Sequence, residues 1–201
     1  MSEIKSICVY CGSGPGTNPA FILGARRFGR ILAENQIGLV YGGGSAGLMG
    51  ACAEAVLDHG GYVTGIIPDF LTDREHMLMR VQERIITGDL HERKKLMFER
   101  ADAFVALPGG VGTLEELVEQ LTWSQLGRHR KPIMVANIDH FWDPLRVLLD
   151  HMEKLAFIRA GLNIDLLVAD RVEDILPKLR EAARRVPEPA MEMKTAEIEQ
   201  M

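Results

Sequence analysis

Short apolar runs rich in branched residues alternate with longer stretches whose apolar positions recur every three or four residues. Ile4 to Tyr10 reads as a strand that runs into Cys11-Gly12-Ser13-Gly14-Pro15-Gly16. Asn18-Pro19 then supplies a helix start, and Phe21, Ala25, Phe28 and Leu32 form one apolar stripe. Ile37 to Tyr41 predicts a second strand, followed by Gly42-Gly43-Gly44-Ser45-Ala46-Gly47 and an alanine-rich helix that stops near Asp58 at His59-Gly60-Gly61. Tyr62 to Ile67 predicts a third strand. Asp69 to Arg84 is charged and irregular, the best candidate for a flap, and Val81 to Thr87 offers a fourth strand.

His91 to Arg100 reads as a helix. Ala103 to Leu107 is a strand, and Pro108-Gly109-Gly110-Val111-Gly112-Thr113 follows. The next helix shows Leu114, Leu117, Val118 and Leu121 as its apparent core stripe. That stripe places Glu116 and Trp123 nearly opposite, on a face that a ligand, a flap or a second subunit would cover. Pro132 to Ala136 and Leu166 to Ala169 predict two more strands, with helices at Phe141 to Leu155 and Val172 to Arg185. Strands that alternate with helices predict a parallel sheet covered on both faces, a three-layer α/β fold in one domain over 1–186. Residues 187–201 read as a flexible tail.

Composition narrows the partners. With 201 residues, 47% apolar and 25% charged, the chain has the profile of a globular domain. A net charge of −5 argues against a nucleic-acid or anionic-membrane surface. No apolar stretch approaches the ~20 residues that span a bilayer, and no secretory signal stands at the N-terminus. Three cysteines, Cys8, Cys11 and Cys52, are too few and odd in number for a disulfide framework, which fits a cytoplasmic protein. Cys8 and Cys11 form a C-x-x-C on a strand, where a structural role is expected, and Cys52 reads as core.

Three glycine clusters each end a strand and precede a helix. Ligands bind at the carboxyl ends of strands in such sheets, and free helix N-termini there suit phosphate. The Gly42–Gly47 cluster fits G-x-G-x-x-G, but it follows the second strand, and the third ends in Pro68 with no acid. A mononucleotide therefore fits better than a dinucleotide. No Gly-Lys pair occurs, which removes a Walker-type loop. Ser13, Gly43 and Gly44 in the first two loops are expected to touch the ligand. The six histidines show no metal-binding spacing, so no metal and no cofactor are expected.

The segment Pro108-Gly109-Gly110-Val111-Gly112-Thr113-Leu114-Glu115-Glu116, preceded by His91-Glu92-Arg93-Lys94-Lys95 and followed by Leu121-Thr122-Trp123-Ser124-Gln125-Leu126-Gly127, resembles the Lonely Guy family of cytokinin riboside 5′-monophosphate phosphoribohydrolases. The resemblance runs from Cys8-Val9-Tyr10-Cys11 through Tyr41-Gly42-Gly43-Gly44 to Lys131-Pro132, over roughly residues 5–180. It implies a Rossmann-like, doubly wound fold, a homodimer and hydrolysis of the bond between an adenine-type base and ribose 5-phosphate. It carries Arg93 and Glu116 over as the catalytic pair. It places Glu75, Lys94, Gly110, Val111, Gly112, Thr113, Leu114, Glu115 and Thr122 in contact with a nucleoside monophosphate. Leu90 stands where many members have Met.

Cleavage of an N-glycosidic bond builds positive charge on the sugar, and a carboxylate such as Glu116 suits that charge. Arg93 would offset the negative charge on the departing base or hold the phosphate, since arginine rarely gives up a proton. A broader AMP or nucleotide 5′-monophosphate nucleosidase and a non-catalytic nucleotide-binding module are the alternatives. Relatives have carried the label lysine decarboxylase, but no pyridoxal constellation is present.

Overall fold

The computed structural model describes residues 3–72, 76–158 and 165–185. Seven strands form one parallel sheet: β1 Ser6–Tyr10, β2 Gly38–Tyr41, β3 Val63–Pro68, β4 Glu83–Thr87, β5 Ala103–Ala106, β6 Ile133–Ala136 and β7 Leu166–Ala169. Among the described residues six helices cover it: α1 Pro19–Glu34, α2 Gly47–Asp58, α3 Leu90–Glu99, α4 Val111–Gln125, α5 Asp143–Lys154 and α6 Ile175–Arg185. Each strand expected from the apolar runs is present, and the fold is the single three-layer α/β domain that they imply. The 187–201 tail lies outside the described residues.

Alternation along the strands decides which layer each side chain joins. On β1, Ile7 and Val9 pack under α1, α2 and α6, while Cys8 and Tyr10 face α3 and α4. On β5, Ala103 and Val105 join the first layer, while Phe104 and Ala106 join the second. The register pairs Cys8 with Phe104 and Tyr10 with Ala106, and the Tyr10 and Phe104 rings stack 6.0 Å apart.

Strand order is β4-β3-β2-β1-β5-β6-β7. The chain winds outward in one direction from β1 to β4 and then crosses back to β5 beside β1. That reversal leaves a crevice at the carboxyl ends of β1 and β5, where doubly wound sheets bind ligands. The Gly12-Ser13-Gly14 turn and the Pro108–Thr113 loop meet there. Leu107 N–H donates to Tyr10 O at 2.9 Å, and Gly12 N–H donates to Pro108 O at 3.1 Å.

Candidate active site

Each helix follows a strand of the parallel sheet and so begins at this end, and the N-terminal amides of α1 to α4 are satisfied in different ways. Asn18 caps α1, its side chain accepting from Ala20 N–H. Asp89 caps α3 by accepting from Glu92 N–H, and Glu92 in turn accepts from Gly88 N–H, a reciprocal capping pair. The Gly12 carbonyl closes α2, accepting from Leu48 and Met49 N–H at 3.0 and 3.3 Å. α4 differs: Gly110 is its N-cap, and no side chain caps it. A Cβ added at Gly110 or Gly112 would meet nothing within 4 Å, so the approach to these amides is open. Of the glycine loops, the one ahead of α4 is therefore the one that presents free N–H groups to an anion.

Beside this opening, α3 and α4 run together as a ladder of paired side chains. Arg93 Nη1 lies 3.3 Å from Glu116 Oε1, with the two side chains 10% and 12% exposed. Lys94 Nζ holds two carboxylates of the same helix, Glu115 at 2.5 Å and Glu119 at 3.0 Å. Farther along, Phe98 meets Trp123 edge-on at 5.3 Å. Burial alone would lower the Lys94 pKa. The hydrogen bonds to Glu115 and Glu119 outweigh it and hold the ammonium above its ordinary range. A Schiff-base lysine needs the opposite shift.

The face of α4 that packs inward is not the one that the apolar stripe indicates. Thr113, Leu117, Gln120 and Leu121 are buried, whereas Leu114 and Val118 are 37% and 41% exposed. The buried face is turned by about 65° around the helix from the expected one. Glu116 turns toward Arg93, and the Gln120 side chain is buried among the core residues. Glu116 is therefore shielded beside the sheet rather than opposite the core. Its charge, after burial, contributes to raising the Cys8 thiol and the Tyr10 phenol above their ordinary values. Trp123 is covered by Phe98 on one side and by the Arg128 guanidinium 4.5 Å from its ring.

The remaining expected contacts separate into groups. Val111, Gly112, Thr113 and Leu114 form the first turn of α4, with Thr113 buried under Gly109 and Val111 outward. Ser13 is exposed in the turn whose backbone lies over Gly47. Gly43 and Gly44 pair with the flap: Leu78 N–H donates to Gly43 O at 3.0 Å, Ser45 N–H donates to His76 O at 3.1 Å, and Gly44 bridges Met77 antiparallel. Thr122 lies on the exposed face, its hydroxyl donating to Val118 O at 2.8 Å, about 120° around the helix from Glu116. Glu75 lies outside the described residues. All three cysteines are buried. Among the described residues no group of acids, histidines and cysteines is placed to hold a metal, and no helix is long and apolar enough to cross a membrane.

Two participants were not singled out by the sequence. Glu119 shares Lys94 with Glu115, and the i, i+4 spacing of those glutamates was the available signal. Gly42 receives the Arg93 guanidinium. Arg93 Nε donates to Ile66 O at 3.1 Å and Nη2 to Gly42 O at 3.4 Å, so the buried cation is tied to the ends of β3 and β2.

Comparison with known proteins places this arrangement. A family model described as "possible lysine decarboxylase" matches residues 49–179. Cytokinin riboside 5′-monophosphate phosphoribohydrolase LOG of Oryza sativa subsp. japonica is 44% identical over 180 residues, 90% of this chain and 74% of that protein. The Arabidopsis thaliana enzyme LOG7 of the same name is 42% identical over 180 residues, 90% of this chain and 83% of that protein. In fold, the Moco carrier protein of Chlamydomonas reinhardtii aligns with a TM-score of 0.67 at 20% identity, covering 92% of this chain and all of that one. The molybdenum cofactor binding protein of Rippkaea orientalis aligns at 0.65 and 22%, over 90% and 98%. The family model spans the Pro108–Thr113 loop and the Arg93–Glu116 pair, the relatives align over 90% of the chain, and the chain belongs to the Lonely Guy family of cytokinin riboside 5′-monophosphate phosphoribohydrolases.

Proposed function

We propose that this chain hydrolyses the N-glycosidic bond of an adenine-type nucleoside 5′-monophosphate, of the cytokinin riboside class, to free base and ribose 5-phosphate. The observation that carries the reading is the shielded Arg93–Glu116 pair beside the open start of α4, where no side chain caps Gly110. The phosphate sits on the amides of the Gly110–Thr113 turn, where the dipole of α4 offers partial positive charge. Glu116 faces the anomeric carbon. As the C1′–N bond breaks, its electron pair goes to the base, and positive charge grows on the sugar beside the carboxylate. Water adds to C1′, and its proton ends on the departing base.

Arg93 acts in this scheme by holding and balancing Glu116, because its three guanidinium nitrogens already have partners on β3, on the β2 loop and on α4. Lys94 acts likewise on Glu115 and Glu119. A chromatographic assay for free base, run with isopentenyladenosine monophosphate, AMP, GMP and CMP, tests the reading. Release from the isopentenyl substrate supports it. Release from AMP alone points to the broader nucleosidase, and no release from any of them leaves a binding module.

The assembly belongs to the same proposal. Val111, Leu114 and Val118 form an exposed apolar line on α4 next to the site, at 83%, 37% and 41% exposure. A second copy covering that line would give the homodimer that the family resemblance implies. Sedimentation should show a dimer, and Val118→Arg should shift it to monomer. Three cysteines, too few and odd in number for a disulfide framework, suit a cytoplasmic location.

A further inference from the structure

Gly42 has no backbone reason to be glycine. Its φ is not among the positive values, which in this loop belong to Gly43 and Gly47. What distinguishes it is its neighbour. A Cβ there would overlap Arg93 Nη2 and come to 3.0 Å from Met49 Sδ. The loop itself has little room to retreat. Gly43 and Ser45 are hydrogen-bonded to Leu78 and His76, and a Cβ on Gly43 would already stand 3.1 Å from Ile67 Cβ. The soft partner is the guanidinium, the far end of a flexible side chain.

The guanidinium is a rigid planar fork, so fixing two of its nitrogens fixes where the third points. Nε is held by Ile66 O and Nη2 by Gly42 O, and Nη1 then faces Glu116. We propose that Gly42 is a positioning residue for the hydrolysis: the missing side chain is the seat that holds Arg93 flat against the strand ends and keeps Glu116 aimed at the anomeric carbon. The catalytic half of this inference rests on the proposed function, while the seat itself does not.

The test compares Gly42→Ala with Gly38→Ala, a control at the start of the preceding strand β2 whose added Cβ makes only ordinary contacts from 3.6 Å outward. Two readouts separate the seat from the chemistry. The first is the Arg93 Nε–Hε resonance, identified by its loss in Arg93→Lys. Gly42→Ala should shift it and speed its exchange with water, and Gly38→Ala should leave it unchanged. The second is turnover. Gly42→Ala should lower kcat about tenfold or more with KM within about threefold of wild type. A Gly42→Ala protein with the wild-type resonance and kcat overturns the proposal. Should that variant fold poorly, Gly42→Ala combined with Met49→Ala removes the clash with sulfur and leaves the one with Arg93. Recovery of kcat there would assign the effect to Met49 and also overturn the proposal. A wild-type protein that releases no base would refute the proposed function alone, and the resonance would still decide the seat.

Discussion

Replacing Glu116 with glutamine should separate catalysis from stability. At 3.3 Å and an effective dielectric of about 20, the gross attraction between Arg93 and Glu116 is roughly 5 kcal/mol. Shielding each ion from water costs several kcal/mol, so the two terms nearly cancel and the pair is not retained for net stability. Glutamine keeps the shape and one acceptor, and Arg93 keeps its bonds to Ile66 O and Gly42 O. The remaining loss is that of one charge-assisted hydrogen bond, about 1–3 kcal/mol. For a chain of this size, that lowers Tm by roughly 2–12 °C.

Catalysis should suffer far more. A carboxylate aimed at developing positive charge is a transition-state contact, and losing such a contact costs about 10²–10³ in kcat, or ~2.7–4 kcal/mol. Glutamine cannot offset a full positive charge on the sugar. The assay is release of free base from isopentenyladenosine monophosphate, with Tm measured on the same samples. A purified Glu116→Gln protein that turns over within about tenfold of wild type would refute the assignment of Glu116.

Gly112→Asp puts a negative charge into open space at the start of α4; KM for the monophosphate should rise about tenfold or more with Tm unchanged, and an unaltered KM would move the phosphate elsewhere. His129 is held below its ordinary pKa by burial against Phe98 and Phe104, with Lys131 and Arg128 adding to the shift. Its folded form resists protonation, so its contribution to stability is present above about pH 6.5 and is lost as pH falls. Wild-type Tm should therefore drop more steeply than that of His129→Gln between about pH 7 and 5, and parallel curves would contradict this. Gly29 on α1 lies where a Cβ would overlap the Cys52 carbonyl of α2, so Gly29→Ala should cost about 1–3 kcal/mol by thermal melting.

The strands and the loops that end them were legible because each fits a local rule: a short branched run, then glycine where the chain turns into a helix. The Arg93–Glu116 pair was legible through family resemblance, and its ion-paired geometry was not. Sequence periodicity assigns a helix its inner face by apolar residues alone. On α4, two such residues, Leu114 and Val118, stay outside, while Glu116 and Gln120 turn inward. The capping of α2 by the Gly12 carbonyl was equally hidden, because a backbone acceptor from a distant loop leaves no mark on side-chain identity. Gly42 looked like one more member of a flexible turn, although its φ is ordinary and its role is to leave space for an arginine.

The charges around the site decide how a phosphate is held. Arg93 and Lys94 face Glu115, Glu116 and Glu119, two cations against three carboxylates. A phosphate that recruited Arg93 would strip Glu116 of its partner and leave a shielded carboxylate next to a dianion, an arrangement disfavoured by several kcal/mol. Neutral amides at the end of α4 avoid that conflict, because they attract the phosphate without drawing a cation away. Anchoring and chemistry then use separate atoms, the backbone of Gly110–Thr113 for one and the Glu116 carboxylate for the other. Substitutions in the glycine turn should accordingly register in KM, and substitutions at the ion pair in kcat.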